Sequence, residues 1–455
     1  MPIPADPAGR ETYRLDRAHV FHSWSAQAAL DPLVISGASG SRVMDADGKE
    51  YLDFSGQLIY TNLGHQHPAI VAAVQEQAGR LGTIAPQHAV EARSRAAALI
   101  AERTPAGLDK VFFTNGGTDA NEHAIRMARL HTGRYKVLAQ FRSYHGGTQT
   151  SLNVSGDPRR WATDYGNSGA VHFFGPFLYR SAFGASTEAE ECRRALDHLE
   201  QLIAMEGPDA FAALILETIP GTAGVMPPPP GYLAGVRELC DRHGIVLILD
   251  EVMVGFGRTG AWFAADHYGV VPDLLTFAKG VNSGYVPLGG VAISDEIAAT
   301  FAHRPYPGGL TYSGHPLACA AAVAAITTMA EQNIVERAAQ LGRDLLGPAL
   351  RRLQAKHPSV GDVRGLGCFW ALELVVDRET REPLTPYGTV NPAMAEIGAA
   401  ARDAGLLIFT SMHRIHLAPP LTCTEAEIAE GIDLLDGVLD RADRHTRPTP
   451  TARIA

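Results

Sequence analysis

Asp273-Leu-Leu-Thr-Phe-Ala-Lys279-Gly280-Val-Asn-Ser-Gly284-Tyr-Val-Pro287-Leu-Gly-Gly is the most informative stretch of this chain. An apolar run delivers one lysine, a glycine follows at once, and a loop rich in glycine, serine and proline opens behind it. At 279 − 250 = 29 residues upstream, a second apolar run, Ile245-Val-Leu-Ile-Leu249, ends in Asp250-Glu251. Lys110–Thr114, Arg134–Gln140 and Ala212–Leu216 have the same character, with amphipathic stretches such as Pro68–Gln77 and Ala89–Glu102 around them. Short, continuously apolar strands alternating with helices predict an α/β fold: a mostly parallel sheet covered by helices on both faces.

At 455 residues the chain exceeds one ordinary core, so two lobes are expected. The N-terminal segment carries a hairpin pattern: Ser41–Asp45, a turn at Asp47-Gly48, then Glu50–Phe54. From Pro316 the pattern changes to an alanine-rich helix, Leu317 to about Lys356, and a strand pair at Val363–Gly365 and Cys368–Leu374. The expected division is 1–60 and 326–455 in a smaller α+β domain, with 61–325 as the large domain. The tail His445-Thr-Arg-Pro-Thr-Pro-Thr-Ala reads as disordered.

A hydrophobic content of 46%, 19% charged residues and a formal charge of −10 describe a globular chain and argue against nucleic acid or an anionic membrane as partner. There is no run of 18 apolar residues, and Met1-Pro-Ile-Pro-Ala-Asp-Pro lacks the basic start and apolar core of a signal peptide. The five cysteines (Cys192, Cys240, Cys319, Cys368, Cys423) are scattered and read as reduced thiols, so the cytoplasm is the expected location.

A buried amine and a buried carboxylate at the ends of two strands are what pyridoxal phosphate chemistry requires: the amine forms a Schiff base and the carboxylate keeps the pyridine nitrogen protonated. Asp250-Glu251-Val252-Met-Val-Gly255-Phe-Gly257-Arg258-Thr259-Gly260, followed by Ala278-Lys279-Gly280, resembles the signature of the class III (omega) aminotransferases, of the aspartate aminotransferase fold type. The resemblance runs from about Asp45 to about Val438. It implies a seven-stranded sheet in the large domain, a smaller domain built from both termini, and Lys279 and Asp250 as the catalytic pair.

Phe113-Thr114-Asn115-Gly116-Gly117-Thr118-Asp119 reads as strand, glycine turn and helix start. Alone it fits ordinary capping by Thr118 or Asp119; beside Lys279 and Asp250 it becomes the expected phosphate site, with Gly117 and Thr118 offering main-chain N–H groups. In the family the triplet usually begins with serine, and Asp119 replaces the more common glutamate. Arg142-Ser143-Tyr144-His145-Gly146 is similar to the family's aromatic-His-Gly loop, which makes Tyr144 and His145 cofactor contacts, with Val252 on the opposite face of the ring. Glu217 matches a family carboxylate near the ring. Thr311, in Gly308-Gly-Leu-Thr311-Tyr-Ser-Gly-His315, matches a threonine that reaches the cofactor phosphate of the neighbouring subunit, which implies a homodimer.

Many family members pair a glutamate with an arginine to admit dicarboxylates; here those positions hold Thr222 and His416. The resemblance then points to a transaminase for primary amines or ω-amino acids (β-alanine, taurine or similar) with pyruvate as the favoured acceptor. Arg414 lies two residues before His416, on the same face of a strand, where it could clamp a carboxylate or be a surface arginine. Trp24 and Tyr60 are candidates for the substrate entrance, or for aromatic packing. Met253 stands where some branches carry a glutamine that bonds the ring hydroxyl.

A racemase, aminomutase or decarboxylase could use the same lysine and aspartate. Gly255-Phe-Gly257-Arg-Thr-Gly260 is formally a dinucleotide fingerprint, but two acids precede it and no helix pattern opens at Gly260, so a nicotinamide dehydrogenase is a remote alternative. His65-Gln-His67 lacks a third metal ligand at usable spacing, and no metal is expected.

Overall fold

In the computed structural model, which describes residues 3–163 and 169–447, the apolar runs form one seven-stranded sheet. In chain order its strands are β1 (Lys110–Thr114), β2 (Lys136–Gln140), β3 (Ala170–Phe173), β4 (Phe211–Glu217), β5 (Val246–Asp250), β6 (Leu274–Phe277) and β7 (Gly289–Ile293). Across the sheet the order is β1-β7-β6-β5-β4-β2-β3. β7 is antiparallel to both its neighbours, and all other pairs are parallel.

Every residue of β4, β5 and β6 is buried, because both faces are covered. Strand side chains alternate between faces. Leu214, Leu216, Leu247 and Leu249 share one core with Leu199 and Val236 of the helices Glu188–Glu206 and Tyr232–His243. Ala213, Ile215, Val246 and Ile248 share the other with Ala120, Ala124 and Ala128 of the helix Gly117–Thr132. A fully buried large aliphatic side chain contributes about 1.5–3 kcal/mol, so three such strands hold the sheet centre rigidly. Their register sets Glu217 beside Asp250, and Asp250 beside Thr276, at the C-terminal ends. Ligands of open α/β sheets bind at that edge.

The second lobe joins the two ends of the chain. Ile35–Ser39, Arg42–Asp45 and Glu50–Asp53 form a sheet with Leu406–Leu407, whose Leu406 pairs in parallel with Leu52. Val360–Leu366, Phe369–Asp377, Arg414–Leu417 and Phe409–Ser411 form another sheet.

Two expectations change, for the long helix and for the tail, while the reading of Gly255–Gly260 holds. The helix expected from Leu317 to about Lys356 is broken after Pro316–Glu331, with Asn333 left-handed at φ 52° and a 59° bend to the segment Ile334–Lys356. Asparagine tolerates that conformation better than most side chains, and an alanine-rich pattern hides such a stop. Gly255–Gly260 is a run of turns followed by a short 3-10 helix at Ala264–Tyr268, without the long helix that a dinucleotide site needs. Of the tail expected to be disordered, Arg447 still donates from its backbone N–H to Val376, and residues 448–452 lie outside the described residues. Among the described residues no single helix is long and apolar enough to cross a membrane.

Candidate active site

Lys279 stands two residues past the end of β6 and opens the turn Lys279–Asn282. Its φ is +46°, a left-handed conformation that costs a non-glycine residue about 1–3 kcal/mol and that tends to persist where function requires it. Glycine follows by necessity: a Cβ on Gly280 would lie 2.4 Å from Asn62 Nδ2. Lys279 lines a cavity of about 440 Å³. Desolvation lowers the pKa of its amine, against the pull of Asp250 and Glu217, and the nearby positive charge of Arg159 lowers it further.

Asp250, at the end of β5, lines the same cavity and is 4% exposed. Its Oδ2 accepts from Asn121 Nδ2 at 2.8 Å and pairs with His145 Nδ1 at 2.7 Å, while Oδ1 accepts from the Val252 backbone N–H at 3.0 Å. Asn121 is itself fixed: its Oδ1 accepts from Thr276 Oγ1 at 2.7 Å and its Nδ2 also donates to the His145 carbonyl. Two strands, one helix and the loop carrying His145 therefore aim one carboxylate. Among the described residues the other ring nitrogen of His145, Nε2, is buried without a partner.

Glu217, at the end of β4, is the neighbouring acid. Its oxygens accept from the backbone N–H groups of Tyr144 (2.9 Å) and Gly221 (2.8 Å). Burial raises its pKa, with the charge of Asp250 adding to the rise and His145 and the two N–H groups opposing it. Two adjacent buried carboxylates do not both ionise cheaply, and at Glu217 the balance favours the proton.

The glycine turn behaves as a cradle. The helix Gly117–Thr132 starts after Gly116 without a side-chain cap, so neither Thr118 nor Asp119 caps it, and its first N–H groups face the cavity end. Gly117 and Thr118 both line the cavity, and a Cβ on Gly117 would lie 2.7 Å from Val252 Cγ1. Tyr144, His145 and Val252 line it as well, as do Trp24 and Tyr60. The ring of Tyr144 carries the Arg159 guanidinium 3.5 Å from its centroid and meets Trp24 edge-on at 6.2 Å. A flat anionic cofactor fits these walls: helix N–H groups at one end, a carboxylate at the other, an amine and an aromatic ring between.

Other sequence candidates lie elsewhere. Arg414 does not line this cavity; it is 5% exposed, and its Nη1 donates to the Ala223 carbonyl at 2.7 Å, so it is no surface arginine either. His416 is fully buried, with its Nε2 against the Gly221 carbonyl at 3.2 Å, and desolvation followed by the charge of Arg414 pushes its pKa down to about 3. It is neutral at ordinary pH and cannot stand in for the missing arginine. Thr311 is exposed and outside the cavity. His65 bonds Asp53 at 2.9 Å, away from any group of three metal-ligating side chains among the described residues.

Two further residues bear on the site: Asn121 lines the cavity, and Arg159, which does not, lies against its Tyr144 wall. Asn121 follows Gly117 by four residues, one helical turn, which places both on the same helix face; that spacing was a usable signal. Arg159 gave none, since Asp157-Pro158-Arg159-Arg160 reads as an ordinary charged loop. It is held by Asp157 Oδ2 at 2.7 Å from Nε and by Thr222 Oγ1 at 3.3 Å from Nη2.

The family model described as aminotransferase class-III matches residues 24–439. The chain is 36% identical to a taurine–pyruvate aminotransferase of Rhodobacter capsulatus, over 97% of this chain and 98% of that protein. It is 35% identical to a 5-aminovalerate aminotransferase of Pseudomonas aeruginosa, over 90% and 94%. Among solved structures, taurine:2-oxoglutarate aminotransferase from Bifidobacterium kashiwanohense, in complex with PLP and glutamate, superposes with a TM-score of 0.93 at 43% identity, covering 95% of this chain and 98% of that one. An (S)-enantioselective omega-transaminase from Thermomicrobium roseum gives a TM-score of 0.89 at 37% identity, over 95% and 98%.

Proposed function

Because the chain belongs to the class III aminotransferase family, we propose that it moves the amino group of an acid-bearing primary amine, an ω-amino acid or a taurine-like aminosulfonate, to an α-oxo acid. The observation that carries this reading is Lys279 in one cavity with Asp250, Tyr144 and the N-terminus of the helix Gly117–Thr132. Pyridoxal phosphate, when bound, supplies an aldehyde for amines to enter and a cationic ring that draws electrons from the bond being broken.

The chain's own residues do the rest. Lys279 is the amine that holds the cofactor covalently. Displaced by the donor, its Nζ takes the proton from the donor's amine-bearing carbon and returns it at the former aldehyde carbon. Taking the proton needs the neutral amine, which desolvation favours, and the ammonium so formed is what gives the proton back. Asp250, aimed by Asn121 and His145, holds the proton on the ring nitrogen. The N–H groups of Gly117 and Thr118 hold the phosphate, and Tyr144 and Val252 wall the ring.

Arg159 supports an acid-bearing donor. Its Nη1 makes no bond among the described residues, and the guanidinium lies on a cavity-lining ring. Trp24, 5.9 Å from its guanidinium, and Tyr60 line the same cavity. A hydrogen bond to a charged group contributes about 1.5–3 kcal/mol. Arg159→Gln should therefore raise KM for taurine or β-alanine roughly 10- to 150-fold, at about 1.4 kcal/mol per decade, and leave KM for an uncharged amine nearly unchanged. Equal effects on both donors would contradict the assignment.

For the acceptor, pyruvate is favoured by Thr222 and a neutral His416, which cannot form the ion-pair gate. A second reading, 2-oxoglutarate, draws on the free nitrogen of Arg159 and on the acceptor of the Bifidobacterium relative. Supplying each oxo acid with one donor and measuring alanine or glutamate decides between them; neither product, with donor racemised or decarboxylated instead, would remove the transaminase reading.

The proposed assembly is a homodimer in which the exposed Thr311 completes the partner's phosphate site. Sedimentation should give twice the chain mass. With all five cysteines free, the cytoplasm is the proposed location.

A further inference from the structure

The segment that carries Tyr60 to the cavity is folded against its own preferences. Within Gly56–Ile59, Gln57 has φ 58° and ψ −101°, and Ile59 has φ 64°. A positive φ is an outlier for a β-branched residue, and Gln57 lies outside even the left-handed helical region. Such backbone persists only where its surroundings over-determine it, and it gathers at functional sites.

One carboxylate does most of the holding. Asp53, at the end of the strand Glu50–Asp53, is fully buried. Its Oδ1 accepts from the Ser55 backbone N–H at 3.1 Å, from Ser55 Oγ at 2.6 Å and from the Gln57 backbone N–H at 3.4 Å. Its Oδ2 accepts from Gln57 Nε2 at 2.9 Å and pairs with His65 Nε2 at 2.9 Å. Four of these five contacts go to the strained turn or to Ser55, which caps it. Burial pushes the pKa of Asp53 up, but the bonds from His65, Ser55 and Gln57 outweigh it, so the net shift is down and the group is a carboxylate. From below, Ile59 is packed with Ile219, Val254 and Phe369.

Beyond the turn the chain is pinned to the loop that follows Lys279. The Tyr60 ring lies so close to Gly284 that a Cβ there would be 2.3 Å from Tyr60 Cδ2. The Leu63 N–H donates to Ser283 Oγ at 2.9 Å, and Tyr285 Oη donates to the Gly64 carbonyl at 3.1 Å. Tyr60, Gly284 and Lys279 line one cavity, which Asp53 itself does not reach.

We propose that Asp53 is a positioning residue of the active site: by holding the strained turn it fixes the Tyr60 ring as the wall against which the amine donor binds. A wall that is already ordered spares each binding event the entropy of ordering it. That the donor occupies this cavity rests on the reading of the reaction above; the hold of Asp53 on the turn does not.

The test joins amide hydrogen exchange of the cofactor-loaded enzyme to a double-mutant cycle read in KM for β-alanine. Asp53→Asn keeps the side chain's size and replaces one acceptor oxygen by a donor. Exchange at residues 55–60 should quicken, and KM should rise severalfold with kcat nearly unchanged, since Lys279 and Asp250 are untouched. Tyr60→Ala should raise KM too, and adding Asp53→Asn to it should raise KM little further, because both act through one ring. If Asp53→Asn does not fold, Ser55→Ala removes one donor to Asp53 and one acceptor for the Gln57 N–H, and should show the same pattern at smaller size. Exchange equal to the parent's would overturn the proposal, as would KM effects that add in full or a fall in kcat alone. An enzyme inert toward every amine would count against the proposed reaction, while exchange would still decide the hold of Asp53 on the turn.

Discussion

Alanine at position 279 abolishes turnover, by at least about 10⁴-fold. General acid–base catalysis alone is worth roughly 10²–10⁴, and here one side chain also supplies the covalent attachment. The variant folds, because Lys279 is a cavity wall rather than core and its left-handed φ of +46° is strained in the parent too. It still takes up pyridoxal phosphate, held by the helix N-terminus and Asp250, but releases it on dialysis, and the absorption band of the covalently held cofactor is absent. Steady-state assay and absorbance spectra check both halves. Turnover within tenfold of the parent would place the chemistry on another residue.

Asp250→Asn is the second large effect, with the opposite signature. Asparagine keeps the volume, so the loop with Tyr144 and His145 stays packed. The charge facing the ring nitrogen is gone, and an amide must now present an acceptor to Asn121 Nδ2 and His145 Nδ1, the two donors at Oδ2. Loss of a preorganised electrostatic partner costs about 10²–10³ in turnover. Cofactor content should remain near one per chain. Glu217→Gln provides the contrast: burial already raises that group's pKa, so removing its charge should cost far less. An Asp250→Asn enzyme with full activity, or one that holds no cofactor, would contradict the assigned role.

The difference between what the sequence disclosed and what it concealed follows from range. Asp250 and Glu217 each end an apolar strand and Lys279 follows one by two residues, so local pattern marks both the strand and the point where it stops. Parallel pairing then brings the three ends together through register, as Glu217 beside Asp250 shows. The glycine turn at Gly116-Gly117 is equally local. Arg159 is different: it sits in the short turn Pro158–Arg160, and its meaning comes from partners distant in sequence, the Tyr144 ring and Thr222. Arg414 shows the same limit from the other side. A strand spacing of two put it on the face of His416, but whether that face meets a cavity depended on Gly224 and Ala223, which cover it. The break at Asn333 is masked in the same way, because alanine-rich sequence favours helix on both sides of it.

The most direct measurement is borohydride reduction of the cofactor-loaded protein followed by peptide mass analysis. A single pyridoxyl phosphate adduct on the ε-nitrogen of Lys279 is the predicted result. An unmodified Lys279 peptide, or the adduct on another lysine, would contradict the account.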